Sequence, residues 1–503
     1  MTPDPTTPAA LRPGVSGSAT SALPATSAAS GRRPVPAGFV LGAATAAYQI
    51  EGAHDLDGRT ASIWDTFCRL PGAVVNGDTG DVACDHYHRF ADDVALMASL
   101  GLQTYRFSTS WARVCPDGGP VNSKGLDFYE RLVDSLLGAG IAPWLTLYHW
   151  DLPQALEDRG GWTTRETTDR FVDYALAVHD RLGDRVSTWT TLNEPFCAAF
   201  LGYTAGIHAP GRTSPEDGLA AAHHLMLAHG KAVSALRARD ASLKLGLTLN
   251  FTVPDPLDPD DPRDVDGARR IDAQMNRIFL DPIFRGEYPA DLLDDVRGLG
   301  LENHILDGDL DLISTPIDVL GVNYYNGEAI GHEPPAAALA DSLNGGRYTR
   351  SAFPAAPASF RHPRGLPVTA MDWEIQPDGL TRLLIRLQRD YAGPRDVELY
   401  VTENGAAFDD GPDADGFVDD RDRSAYLRAH LGAVLDAIDA GVPVRGYFYW
   451  SLLDNYEWAW GYAKRFGIVR VDYDTQRRTP KASALDYARI IATRELPVGH
   501  DQG

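Results

Sequence analysis

Thr-Tyr-Arg-Phe-Ser-Thr-Ser-Trp (Thr104 to Trp111), Pro-Trp-Leu-Thr-Leu-Tyr-His-Trp (Pro143 to Trp150) and Val-Ser-Thr-Trp-Thr-Thr-Leu-Asn (Val186 to Asn193) are three runs rich in β-branched and aromatic residues. Between them, Phe128 to Leu137 and Phe171 to Leu182 carry apolar residues at helical spacing. This alternation of strand and helix decides the fold. Outward from it, strand-like runs recur at Phe39 to Ala44, Leu243 to Phe251, Val319 to Tyr325, Leu399 to Glu403 and Gly446 to Trp450. Helical spacing recurs at Phe90 to Leu100, Gly218 to Leu236, Leu380 to Leu387 and Tyr426 to Ile438, and Gly101 and Gly140 fall where helices should stop. Eight strands alternating with helices predict a parallel sheet closed into an α/β barrel, the (β/α)8 or TIM architecture, with long βα loops. The alternative, a doubly wound open sheet, lacks a GxGxxG after its first strand.

At roughly 150 residues per domain, 503 residues suggest about three domains, but such barrels carry 250 residues or more as one unit. Residues 1 to 36 hold 7 Pro, 7 Ala, 5 Ser and 5 Thr and no aromatic, a composition unable to build a core. A disordered tail is expected over 1–36 and a single catalytic domain over 37–497. The tail lacks the basic start and apolar run of a Sec signal. Arg32-Arg33 before the apolar run from Phe39 to Tyr48 permits a twin-arginine reading, but that run serves better as the first strand. Two connections exceed ordinary turns: Gly327 to Pro377 after strand six, and the Pro/Asp run Val253 to Asp264 after strand five, which reads as a solvated surface excursion.

Acidic residues (69 Asp and Glu) outnumber basic ones (46 Lys and Arg), leaving a formal charge of −23 that repels phosphate backbones and anionic lipid. Nucleic acid and membrane partners are excluded on this ground and a neutral small molecule is favoured; no apolar stretch of about 18 residues occurs. Four cysteines without CxxC spacing read as reduced thiols in a cytoplasmic protein.

Strand ends carry the chemistry. Glu194 ends strand four in Thr-Leu-Asn-Glu-Pro (191 to 195) and Glu403 ends strand seven in Thr-Glu-Asn-Gly (402 to 405). Residues so far apart in sequence face one another only because a barrel gathers its strand ends. Paired carboxyl groups are what glycoside hydrolysis requires, one to protonate the leaving oxygen and one to attack or activate water. His149, Trp150, Asn193, Asn323, Tyr325 and Trp450 close other strands, with Glu457-Trp458 beyond the eighth. Hydroxyl-rich rings are held by such amides, imidazoles and carboxylates, and their C–H faces stack on indoles.

With these motifs the chain resembles glycoside hydrolase family 1, the clan of retaining β-glucosidases. The likeness runs from Phe39 to near Ile491. It includes Phe-Val-Leu-Gly-Ala-Ala-Thr-Ala-Ala-Tyr-Gln-Ile-Glu-Gly (39 to 52), Asp-His-Tyr-His-Arg (85 to 89), Tyr-Arg-Phe-Ser-Thr-Ser-Trp (105 to 111), His-Trp-Asp-Leu-Pro (149 to 153), Asn-Tyr-Tyr (323 to 325), and Glu-Trp followed by Phe-Gly-Ile-Val (457 to 469), besides the two glutamate motifs.

The resemblance implies a β-glucosidase that releases terminal β-D-glucosyl residues through a covalent glycosyl-enzyme intermediate, with a place in cellulose and polysaccharide degradation. It makes Glu194 the acid/base and Glu403 the nucleophile, and Arg106 and Tyr325 would favour an ionised Glu403. Asn193 resembles the residue that binds the sugar 2-hydroxyl. Gln49, His149, Glu457 and Trp458 look like the rest of the glycone pocket, with Trp450 as its floor, Asn323 in support and Phe466 on the O6 side. Glu457 implies an unphosphorylated glycone, glucose first, with galactose or fucose tolerated. Asp372 stands where the family leads one to expect Gly, and Phe196 where Trp is common. A catalytically dead binding protein would lack one carboxylate, a thioglucosidase would carry Gln for Glu194, and both glutamates are present. His86 with His88, and His223 with His224, lack zincin spacing and are expected to form hydrogen bonds. No metal or cofactor is expected.

Overall fold

A computed structural model describes residues 31–335 and 351–498. Each of the eight apolar runs forms a strand: β1 (Val40–Ala44), β2 (Thr104–Ser108), β3 (Ala142–Tyr148), β4 (Thr188–Asn193), β5 (Lys244–Phe251), β6 (Val319–Tyr324), β7 (Glu398–Asn404) and β8 (Val444–Trp450). They pair in sequence order, all parallel, and β8 returns to β1 through the register Gly446↔Val40 to Trp450↔Ala44, closing a single barrel. Closure leaves no unpaired edge in this sheet. Boundaries move by up to three residues. β2 ends at Ser108 because the backbone N–H of Ser110 is taken by the Tyr129 hydroxyl at 2.6 Å and Trp111 begins a helical turn.

The connecting helices are α1 (His86–Ser99), α2 (Ser123–Gly138), α3 (Glu166–Leu182), α4 (Pro215–Arg239), α5 (Pro262–Asp272), α6 (Ile278–Arg285), α7 (Pro377–Leu387), α8 (Arg421–Asp439) and α9 (Ala482–Thr493). Their apolar faces pack on the barrel wall, where each fully buried large side chain contributes about 1.5–3 kcal/mol. Inside, the Trp144 ring meets Tyr400 at 4.9 Å and Phe448 at 5.1 Å edge to face, while its indole N–H donates to Thr190 Oγ1 at 2.8 Å. The barrel is therefore plugged beneath its C-terminal rim.

Two expectations are corrected. The Pro/Asp run is not merely a solvated excursion: Pro254–Pro256 forms a strand beside Glu328–Gly331, which in turn pairs with Phe360–His362. Asp261 then caps α5, accepting from the Arg263 N–H at 2.9 Å with Pro262 in the first turn. Pro and Asp are initiation signals here. The long connections after β5 and β6 thus share one small sheet above the rim. The folded body also starts earlier than residue 37. Gly31–Pro34 pairs antiparallel with Glu495–Val498, and the two arginines are held by ions of the body, Arg32 by Glu495 and Arg33 by Asp436 and Asp439. The rest of the expected tail, residues 1–30, lies outside the described residues. No helix among those described is long and apolar enough to cross a membrane.

Candidate active site

Glu194 is the first residue past β4, and Glu403 lies one residue before the end of β7. The strand register slips just ahead of each, between Thr190 and Asn193 against β5 and between Val401 and Glu403 against β6. Such irregularities re-aim side chains at barrel rims. Glu194 also holds a left-handed backbone, φ 47°, as do Trp150 (φ 76°) and Trp458 (φ 50°). Strain of this kind persists only where surrounding contacts over-determine it. Gly405 explains the last letter of Thr-Glu-Asn-Gly: a Cβ there would collide with the carbonyl of Trp450, so only glycine lets the ends of β7 and β8 close up.

Arg106 on β2 organises the floor. One guanidinium nitrogen donates to Glu403 Oε1 at 2.6 Å and another to Asn193 Oδ1 at 2.7 Å. The Tyr325 hydroxyl donates to the other Glu403 oxygen at 2.8 Å. Asn323, whose Oδ1 accepts from Thr402, turns its amide N–H to Glu194 Oε1 at 2.6 Å and Asn193 Oδ1 at 3.2 Å. With its oxygen doubly occupied, Asn193 donates its amide to His149 Nε2 at 3.0 Å. That bond makes Nε2 an acceptor and places the imidazole proton on Nδ1.

These partners divide the carboxyl groups. Burial and then the charge of Glu403 push Glu194 up to about 8, against hydrogen bonds from Asn323 and Cys197. Burial raises Glu403 above the ordinary carboxylate value as well, but it alone has a cation against it, and Arg106, Tyr325 and Asn323 all favour its charged form. Glu403 therefore ionises before Glu194. Glu457 is pushed up to about 8 by burial and by the two other glutamates, relieved only by the Gln49 amide at 3.4 Å. Burial lowers His149 well below the ordinary imidazole value, with Arg106 adding to it, so the ring is neutral.

Above this floor opens a cavity of about 540 Å³, a size that suits a small organic ligand. Of the residues expected from sequence, Glu194, Glu403, His149, Tyr325, Trp450, Glu457, Trp458 and Phe466 line it. Trp458 is steadied by Trp150 at 4.5 Å and Trp64 at 4.6 Å, and His149 lies nearly parallel to Trp450 at 5.7 Å. Arg106, Asn323, Gln49 and Asn193 stand directly behind the lining, at most 1% exposed. Gln49 Oε1 and His149 Nδ1 are buried without a protein partner among the described residues, an acceptor and a donor such as a hydroxyl can satisfy together.

Several lining residues escaped the sequence reading, among them Cys197, Asn250, Met275, Trp373 and Lys464. Cys197 carried a signal, standing three residues beyond Glu194 where a helical turn brings side chains together. Asn250 lies on β5 itself and Met275 in the helical turn between α5 and α6, while Trp373 comes from the long connection after β6 and Lys464 from the loop after β8. Asp372, at the rim, has φ 57°, a conformation that glycine adopts freely and aspartate tolerates.

The histidine pairs make the hydrogen bonds expected of them. His86 meets Asp93 at 2.8 Å, His88 meets Asp85 at 2.6 Å, His223 lies between Tyr288 and Asp309, and His224 bonds the Trp162 carbonyl. Among the described residues, the grouping of at least three potential metal-ligand atoms is Asp261, Asp264 and His332, outside the cavity; His332 Nδ1 there already bonds Asp264 at 2.6 Å. All four cysteines are free and buried.

A family model described as glycosyl hydrolase family 1 matches residues 32–496. Thermostable β-glucosidase B of Thermobispora bispora is 52% identical over 94% of this chain and 94% of its own. A bifunctional β-D-glucosidase/β-D-fucosidase of Bifidobacterium breve is 49% identical over 91% of this chain and 98% of its own. The crystal structure of a psychrophilic β-glucosidase from Micrococcus antarcticus superposes with a TM-score of 0.88 at 54% identity, covering 91% of this chain and 97% of that one.

Proposed function

This chain belongs to glycosyl hydrolase family 1, and on that premise we propose that Glu403 and Glu194 divide between them the two steps of β-glucoside hydrolysis. The enzyme is a retaining β-glucosidase acting by double displacement on terminal β-D-glucosyl residues. In the first step an oxygen of Glu403 attacks the anomeric carbon while Glu194 gives its proton to the departing glycosidic oxygen. The bond from that carbon to Glu403 replaces the bond to the aglycone. The negative charge that held Glu194 protonated is then gone, its pKa falls, and it accepts a proton from the water that displaces Glu403. The observation that carries this assignment is the asymmetry of partners: Glu403 faces Arg106 at 2.6 Å, whereas Glu194 has only neutral donors.

For the glycone, Gln49 Oε1 and the N–H of His149 Nδ1 would read one hydroxyl from both sides. Glu457 would take the O4 and O6 hydroxyls over the Trp450 and Trp458 rings, with Phe466 beside them. Asn193 would reach the 2-hydroxyl with the second N–H of its amide, the first being held by His149 at 3.0 Å. A sugar phosphate would meet three acidic side chains, so the glycone is unphosphorylated. Glucose leads, with its 4-epimer galactose and the 6-deoxy sugar fucose tolerated; the double name of the Bifidobacterium relative supports the place of fucose. Substrates are small β-glucosides and cello-oligosaccharides. Four buried free thiols favour a reducing, cytoplasmic location.

Hydrolysis of an aryl β-glucoside by the wild type and by Glu403→Gly, with and without azide or formate, tests the assignment. The variant should lose activity by several orders of magnitude and regain part of it with the added anion, which occupies the space of the lost carboxylate. An inactive wild type, or a variant as active as the wild type, overturns it.

A further inference from the structure

Cys197 has two ties to Glu194. Its backbone N–H donates to the Glu194 carbonyl at 3.0 Å, and its Sγ lies 3.3 Å from Glu194 Oε2. The amide of Asn250 on β5 donates to the same sulfur, 3.6 Å away. The other Glu194 oxygen, Oε1, is claimed by the Asn323 N–H, so the proton of the acid form sits on Oε2, the oxygen beside the thiol. Burial pushes the Cys197 thiol well above its usual range, with the Glu194 charge adding to it, so the group stays S–H throughout the reaction.

We propose that Cys197 is a positioning residue for Glu194, whose thiol accepts weakly from the Oε2–H of the acid and turns to donate its S–H to the same oxygen after the proton has left. In the first step the Oε2 proton passes to the leaving oxygen as the glycosidic C–O bond breaks and the bond to Glu403 forms. The S–H then rotates onto the Oε2 carboxylate, and swings away again when water returns a proton there and its oxygen displaces Glu403. A thiol suits both states because its hydrogen bonds are weak as donor and as acceptor. It steadies the carboxyl without retaining the proton. Asn250 occupies the sulfur lone pairs that Glu194 releases.

The proposal rests on Glu194 being the acid/base, and Glu194→Gln separates the two readings: that variant should lose the basic limb of the pH profile whatever Cys197 does. The other charged or titratable groups facing Glu194 are Glu403, Glu457, Arg106 and Tyr325, all retained in the variants below. In Cys197→Ala the ionised form of Glu194 loses a donor. The basic limb of kcat/KM for an aryl β-glucoside should move to higher pH by about half to one unit. The deglycosylation-limited kcat should fall about three- to tenfold, because the base is less well held. Cys197→Ser should return the limb toward the wild-type position. A limb in Cys197→Ala that coincides with the wild type overturns the proposal, as does an equal loss in both variants with the limb unmoved. Should Cys197→Ala not fold, infrared difference spectra of the wild type decide. One S–H stretching band, missing in Cys197→Ser, should move to lower frequency when a 2-deoxy-2-fluoro-glucoside accumulates the glycosyl-enzyme, and an unmoved band overturns the proposal.

Discussion

Arg106 brings a guanidinium N–H within 2.6 Å of Glu403 Oε1, with 1% and 3% of the two side chains left accessible. A charge pair so buried is strongly destabilising when one member is removed, and here the member left behind would be Glu403, the proposed nucleophile. Arg106→Met should therefore reduce kcat/KM for aryl β-glucosides by about 10²–10³-fold and shift the acid limb of its pH profile upward, since Glu403 loses the cation favouring its charge. An unchanged acid limb would show that Arg106 does not govern Glu403.

With Glu194 as the proposed acid/base, the basic limb should be its own. Its pKa is raised to about 8, and the first step uses its protonated form, so kcat/KM should hold at neutral pH and decline as pH rises through that value. Glu194→Gln should abolish this decline for substrates whose leaving groups need no protonation. A profile falling through a pH near 6 would contradict the raised value.

Glu457 trades stability for recognition. Its carboxyl is raised from an ordinary 4.5 to about 8 in the fold, so stability is intact below about pH 4.5 and is lost progressively as pH climbs toward 8, where the unfolded chain ionises and the folded one resists. Glu457→Gln should stabilise the fold little near pH 5 and more near pH 8, by on the order of 2–4 kcal/mol at the upper end, read as a raised Tm. It should also weaken glucoside binding. Thermal melts across this range check the sign, and a gain that shrinks with pH would refute it.

Gly405→Ala places a methyl group against the Trp450 carbonyl. Overpacking of this kind costs about 1–3 kcal/mol, and the shift it forces falls between the strand bearing Glu403 and the strand ending in Trp450. Both melting temperature and kcat should drop. A control, Gly411→Ala, where a Cβ meets nothing within 4 Å, should leave both unchanged.

The two glutamates proposed as catalytic and all eight barrel strands are legible because each strand is a run long enough to carry a pattern, and because strand ends gather at one rim. The small sheet joining Pro254–Pro256, Glu328–Gly331 and Phe360–His362 was not legible. Its strands have three or four residues each, too short for periodicity to register, and their partners lie dozens of positions away along the chain. Helix α5 was hidden by its charge, since the Asp and Arg residues that make ion pairs along it look from sequence like a solvated loop. Cys197 reads from sequence only as a reduced thiol three residues past Glu194, because its contact depends on the left-handed turn at Glu194. Gln49 and Asn193 are expected at the glycone pocket from sequence; in the fold they stand behind its surface, each engaged with a neighbour that lines it.

The short ladder between Gly31–Pro34 and Glu495–Val498 has a topological corollary. With Gly31 opposite Val498, the polypeptide of the catalytic body begins and finishes at the same place, so it is nearly a ring already. A brief linker across that point would give a cyclic chain that could be cut in an exposed loop elsewhere, such as the one around Gly411, without altering which strand lies beside which. The order of elements along the polypeptide is thus separable from their arrangement in the barrel, and the rim that holds Glu194 and Glu403 depends only on the latter.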